Sequence, residues 1–194
     1  MRGKRLIQTI HMCLLRSSRE RANYLKNVFH SVGDGCTVMD RKIPLYPELI
    51  SLGNNVHLAS HVYLTTHDIT DKMLNQHSDL SAYGIEKGFK FKEKIGCIEI
   101  GDNVFVGSGT RVLGNVKIGS NCIIGAGSLV NKDIPENCVV GGVPAKVIGK
   151  FDEYVRRRSL ETEYPEGLEP GQENVSADLI DYKWKQFENF RSSK

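Results

Sequence analysis

The side chains in this 194-residue chain best suited to chemistry are histidines. His57, His61 and His67 stand close together in sequence. Imidazole ligates zinc, and with an ordinary pKa near 6.5 it also accepts a proton at neutral pH. His61 and His67 are six residues apart, and His57 falls at a variable corner of the repeat described below. That spacing matches no zinc-site pattern, so no metal is expected and a surface or interface role is the plainer reading of His57 and His61. Proton acceptance is the other chemistry. A hydroxyl is a poor nucleophile until it loses its proton, and a well-placed base contributes about 10²–10⁴-fold. Asp68, beside His67, is a lesser candidate for orienting a base. The five cysteines (Cys13, Cys36, Cys97, Cys122 and Cys138) are odd in number and include no Cys-x-x-Cys. They read as free thiols of a reducing compartment, which makes the expected location cytoplasmic.

The elements that must position these groups are set by a repeat. An aliphatic residue stands at Ile100, Val106, Val112, Ile118, Ile124 and Val130, and glycine follows it at 101, 107, 119 and 125. An α-helix cannot hold a period of six, and a β-meander alternates with period two. A parallel β-helix holds it when each hexad forms one short strand and one corner. Three hexads then close a triangular turn, so Ile100 stacks on Ile118 and Val106 on Ile124. The glycines are expected to relieve a corner with φ > 0. Cys36 and Cys122 fall at small inward positions and read as core.

Hexads begin loosely at Val32, are interrupted over 39–49 by Pro44 and Pro47, and resume from Leu52 to Ile69. An insertion over 70–97 then separates them from Ile98. It carries Tyr83, Phe89 and Phe91 among Lys87, Lys90, Lys92 and Lys94. Insertions of that length inside a solenoid are uncommon unless functional, although a decorative loop is the plainer alternative. Tyr83, Phe89 and Phe91 suit contact with an acceptor because they offer large, rigid area.

Helical periodicity at Leu6, Ile7, Ile10 and Leu14, and again at Tyr24, Leu25, Val28 and Phe29, predicts one or two helices over 4–29 with a break at Ser17-Ser18. Their expected role is to cap the open end of the coil. Association of the basic face with a membrane surface is the second reading. Residues 1–42 hold nine Lys/Arg against three Asp/Glu, a net of +6, and 151–194 hold seven against ten, a net of −3. The overall +3 is too mild to imply nucleic acid. No apolar run is long enough to span a membrane. The stretch Met1–Leu15 is broken by Gln8, Thr9 and His11 with no small-residue cleavage site after it, so it does not read as a secretion signal. Phe151–Glu161 reads as a helix and 164–175 as a linker. A last helix reads from Ser176, its N-cap, to Phe190, packing Leu179, Ile180, Trp184 and Phe187 on the coil. The organisation is therefore a helical cap (1–30), a β-helix with an extruded loop (31–150, loop 70–97) and a helical extension (151–194).

The hexads, the loop after Thr66-His67-Asp68, and the ending Asp133-Ile-Pro with Gly142-Val-Pro-Ala-Lys-Val-Ile148 resemble the hexapeptide-repeat acetyltransferases. Within them the chain is most similar to the maltose, galactoside and capsule or exopolysaccharide O-acetyltransferases. The resemblance covers about 50–150 well and 32–49 loosely. It implies a mainly β fold with a left-handed β-helix, a homotrimer with active sites between subunits, and acetyl-CoA as co-substrate. His67 matches the family's catalytic histidine. Phe105 stands where many relatives carry tryptophan, keeping an aromatic surface without the indole N–H. Gly107, Ser108, Gly125 and Ala126 match residues that line the pantetheine channel through backbone groups. Lys132 and Lys146 match basic positions near the CoA phosphates, or are simply solvated lysines. Asp68, Tyr83, Phe89 and Phe91 fall on the acceptor side.

Three functions compete at this point. The first is acetyl transfer from acetyl-CoA to a hydroxyl of a sugar or polysaccharide precursor. The second is N-acylation of an amino sugar or other small amine on the same scaffold. The third is a non-enzymatic or metal-binding β-helix.

Overall fold

The computed structural model describes residues 2–161, 164–165, 167–171 and 174–192. Two helices come first, α1 (Arg2–Leu14) and α2 (Ser18–Leu25). The break between them is a capping box: the Ser17 hydroxyl accepts from the Glu20 N–H at 3.1 Å, and the Glu20 carboxylate accepts from the Ser17 N–H at 3.3 Å. The short strands β1 (Ser31–Val32), β2 (Thr37–Val38), β3 (Ile50–Leu52), β4 (Val56–Leu58) and β5 (Tyr63–Thr65) follow. The insertion opens with β6 (His67–Asp68) and α3 (Thr70–Leu74) and closes with β7 (Lys94–Ile95). The coil resumes through β8 (Ile98–Ile100), β9 (Val104–Val106), β10 (Arg111–Leu113), β11 (Val116–Ile118), β12 (Cys122–Ile124) and β13 (Leu129–Val130). It ends with β14 (Cys138–Gly141) and β15 (Lys146–Lys150), before α4 (Phe151–Ser159) and α5 (Ala177–Ser192).

Successive strands visit three sheets in turn, and each sheet pairs a strand with its counterpart one coil away. The first face orders β1-β3-β8-β11, the second β2-β4-β9-β12-β14-β15, and the third β5-β10-β13. Every pairing on these faces is parallel except β14 with β15. The register is the one the hexads predict: Ile100 stands opposite Ile118, Val106 opposite Ile124 and Val112 opposite Val130. All six of these residues are buried, as are Cys36 and Cys122.

The outward columns differ in character. The first face presents Ser31, Ser51, Glu99 and Lys117, with the last two ion-paired at 2.9 Å. The second presents Thr37, His57, Phe105, Ile123 and Val139, growing apolar toward its C-terminal end. The third presents Tyr63, Arg111 and Leu129, with the Arg111 guanidinium 4.8 Å from the Tyr63 ring centre.

One expectation about the corners is corrected. None of Gly101, Gly107, Gly119 and Gly125 has positive φ. Instead, a Cβ on Gly107 would come within 2.5 Å of the Ala126 nitrogen, and one on Gly119 within 2.5 Å of the Glu136 nitrogen. These glycines let neighbouring coils approach. Positive φ falls instead at the fourth place of the hexads, on Asn55, Asn103, Asn115, Asn121 and Asn137, on His61, and on Gly109 and Gly127, residue types that tolerate αL. Asparagine amides form a ladder, Asn55 donating to Asn103 at 2.9 Å, Asn103 to Asn121 at 3.1 Å and Asn121 to Asn137 at 3.0 Å.

Of the two stripes expected to cap the coil, the second does so and the first does not. Met12, Ala22, Leu25, Val28 and Phe29 join the coil's core cluster. Leu6, Ile7, Ile10 and Leu14 stay exposed, because α1 turns Met12 inward and leaves that stripe outside.

By internal contacts the chain divides into Met1–Val155 and Arg156–Lys194. In the second unit the Ser176 hydroxyl accepts from the Leu179 N–H at 3.2 Å, as an N-cap does. Leu179 is buried, whereas Ile180, Trp184 and Phe187 are exposed. The linker read at 164–175 lies partly outside the described residues. Among the described residues no helix is long and apolar enough to cross a membrane.

Candidate active site

His67 lies where the chain leaves the third face. β6 pairs antiparallel with β7, His67 opposite Ile95 and Asp68 opposite Lys94, so the insertion emerges on a two-stranded neck. The residue before it is anchored: buried Thr66 donates its hydroxyl to the Leu45 carbonyl at 2.5 Å. That bond fastens the interrupted segment 39–49 against the base of the neck. It also brings Tyr46 edge-on to His67, with ring centres 5.9 Å apart. The Tyr46 hydroxyl donates to Glu93 at 2.9 Å, just before β7. The bond to Glu93, followed by burial, raises the phenol's pKa, so it remains a donor.

The imidazole is half-buried. Among the described residues its Nδ1 is buried without a hydrogen-bond partner, as is Oδ1 of Asp71 on α3. His67 lines a cleft of about 580 Å³ together with His61, Thr65, Tyr63, Lys42 and Lys72, which places its ring beside open space.

The other sequence-designated residues fall elsewhere. Asp68 accepts the Thr70 N–H at 2.8 Å and so starts α3. Tyr83, Phe89 and Phe91 do not line the cleft; Phe89 packs edge-on to Phe91 at 5.0 Å and Tyr83 to His77 at 5.9 Å. The Asn75 amide closes the loop on itself, donating to the Phe91 carbonyl and accepting its N–H, both at 2.9 Å. His57 is held in the corner network, its Nδ1 2.8 Å from the Thr37 hydroxyl and its Nε2 2.8 Å from the Asn55 amide oxygen.

Phe105, Gly107, Ser108, Gly125 and Ala126 gather at the corner between the second and third faces. The Gly107 N–H donates to the Ile124 carbonyl and the Gly127 N–H to Ser108, each at 2.8 Å, which stacks Ser108 beside Ala126. A Cβ on Gly127 would meet nothing within 4 Å, so the outside of this corner is open and walled by small residues. Buried Thr110 and Ser128 both donate to the Gly125 carbonyl, at 3.1 and 2.6 Å, and hold the corner's shape. Phe105 is half exposed beside it. Gly142–Ala145 continues the third face, with Ala145 N–H donating to Leu129 at 2.8 Å, and leads to exposed Lys146; Lys132 is exposed as well. This corner and His67 occupy opposite edges of the third face, so one chain holds them apart.

Sequence reasoning missed Tyr46 and Glu93. The signal for Tyr46 was its position between Pro44 and Pro47, which marks a fixed segment without saying what it touches.

The chain is similar to known proteins in sequence and fold. Residues 97–132 match the bacterial transferase hexapeptide (six repeats) family. A galactoside O-acetyltransferase from Lactococcus lactis is 30% identical over 165 residues, covering 76% of either chain. A galactoside acetyltransferase solved in complex with coenzyme A superposes with a TM-score of 0.53 at 26% identity, covering 85% of this chain and 87% of that one. A maltose O-acetyltransferase from Clostridium difficile superposes at 0.51 and 28% identity, over 77% of this chain and 85% of that one. The chain belongs to the bacterial hexapeptide-repeat transferase family. Within that family it is an acetyltransferase.

Proposed function

We propose that this enzyme transfers the acetyl group of acetyl-CoA to a hydroxyl of a sugar or polysaccharide precursor, with His67 as general base. The observation that carries this reading is the placement of His67: half-buried on a braced neck, Nδ1 turned inward, ring at the wall of a cleft. Acetyl-CoA supplies the thioester carbonyl. The His67 ring takes the proton of the acceptor hydroxyl as that oxygen forms its bond to the carbonyl carbon, and returns it to the departing thiolate. Backbone N–H groups at the glycine corner suit the developing negative charge, because fixed donors need no reorganisation. Asp68, Tyr83, Phe89 and Phe91 belong to the acceptor side in this reading, through the loop that carries them.

The small-walled corner fits the pantetheine arm. Gly107, Ser108, Gly125 and Ala126 offer backbone groups without side chains that would fill the groove, Phe105 forms its mouth, and Lys132 and Lys146 serve the phosphates. Because this corner and His67 lie at opposite edges of one face, a complete site requires a second chain. Cyclic threefold closure brings the His67 edge of one subunit to the glycine corner of the next. A left-handed coil and a homotrimer are therefore part of the proposal, supported by the likeness to the two acetyltransferase structures. The test is thiol release from acetyl-CoA in the presence of sugar acceptors, with light scattering for the trimer. A fully active monomer would contradict the shared site.

A further inference from the structure

The cleft beside His67 carries unbalanced charge. Arg5 from α1, Lys42 from the interrupted segment and Lys72 from α3 line it, against one carboxylate, Asp40. Among the described residues none of these three cations has an ion pair or a side-chain hydrogen bond. The neighbouring arginines behave differently. Buried Arg21 donates to the Val38 and Leu15 carbonyls at 2.9 and 3.2 Å, and Arg41 to the Cys13 and Leu15 carbonyls at 2.7 and 3.1 Å. Arg21 and Arg41 thus satisfy the chain end of α1, a structural duty near a helix C-terminus. Arg5, Lys42 and Lys72 have no such duty, and they reach the same space from three separate elements.

The rest of the wall favours their use on an anion. Met12, Phe29, Ile43 and Leu64 give the cleft an apolar floor. A charge pair at such a floor interacts more strongly than in open water, because the effective dielectric is lower. Lys72 lies one turn beyond the neck that carries His67, which ties the positive wall to the reacting end.

We propose that the acceptor is anionic: a carboxylate or phosphate on the sugar is held by Arg5, Lys42 and Lys72 while one of its hydroxyls is presented to His67. This rests on the reading of the His67 cleft as the acceptor site. Selection for an acidic sugar then comes from this wall, with no requirement for the loop lysines.

The test is calorimetry on the intact full-length protein, with methyl galactoside as neutral probe, glucuronate as carboxylate probe, galactose 1-phosphate as phosphate probe, and coenzyme A. At least one anionic sugar should bind at least about tenfold more tightly than the neutral one, and which of the two does so identifies the anion. The double variant Lys42→Glu/Lys72→Glu should remove that preference while coenzyme A affinity stays within about twofold. Lys117→Glu, on the polar first face, should leave the preference intact. If the double variant does not fold, Arg5→Gln should reduce the preference in its place. Equal or tighter binding of the neutral sugar, no binding of either anionic sugar, or a matching loss of coenzyme A affinity in the charge-reversed protein overturns the proposal. His67→Ala should retain the anionic preference in binding, so a wrong assignment of the base is distinguishable from a wrong assignment of this wall.

Discussion

The Tyr46 ring meets the His67 imidazole edge-on, at 5.9 Å between centres and 89° between planes. Tyr46 holds φ 51° and ψ 55°, a left-handed conformation that is costly for a bulky residue and persists only where surroundings enforce it. Those surroundings are the Thr66 bond to Leu45 and the Glu93 carboxylate on the Tyr46 hydroxyl. The pairing ties the interrupted segment to His67.

Tyr46→Phe keeps the ring and removes the bond to Glu93, so kcat should fall by about threefold to tenfold with KM for acetyl-CoA unchanged. Tyr46→Ala should cost more, because the ring itself braces His67. Equal kcat in both variants and wild type would show that Tyr46 merely fills space. The raised phenol pKa also has a signed consequence. A group whose folded pKa exceeds its unfolded value contributes stability that is complete below the unfolded value and lost as pH rises through the folded one. Wild type should therefore be more stable than Tyr46→Phe at neutral pH, and the difference should shrink as pH rises above about 10.

Gly119 has ordinary φ, yet a Cβ there would strike the Glu136 backbone. Gly119→Ala should destabilise the coil by about 1–3 kcal/mol, the usual range for forcing volume into a close-packed site. Thermal or denaturant unfolding measures it. An unchanged midpoint would mean that the coils can separate without cost, and would restore the idea that these glycines serve the corner's dihedral angles.

The insertion offers a third test. Replacing Met73–Lys92 by a short Gly/Ser turn preserves His67, Lys72 and the β6–β7 neck while removing Tyr83, Phe89 and Phe91. Coenzyme A affinity should stay within about twofold and transfer to the acceptor should fall at least about tenfold, because the loop's aromatic area is lost from the acceptor side. If both quantities hold, acceptor selection resides in the coil and the cleft. If both collapse with assembly, the loop is structural.

The coil was legible in the sequence because a period of six leaves few alternatives. Ile100, Val106 and Val112 each stack as the repeat requires. The meaning of the glycines was misread because composition shows that a Cβ is absent, and only the spacing between coils shows why. The dihedral role had passed to the fourth place of the hexads, held by asparagines such as Asn55, Asn103 and Asn121 and by Gly109 and Gly127, a place that was visible. Tyr46 could not be read as a neighbour of His67, since it belongs to an interruption where periodicity stops. The cap was only half legible. Periodicity marked α1 as helical, but only the fold shows that Met12 rather than Leu6, Ile7, Ile10 and Leu14 turns inward.

The most direct measurement is the turnover of His67→Ala with acetyl-CoA and a sugar acceptor, read beside coenzyme A affinity and thermal unfolding. The account predicts a fall of at least about 10² in kcat, with affinity and unfolding unchanged. Near-wild-type turnover in a normally folded variant would contradict it.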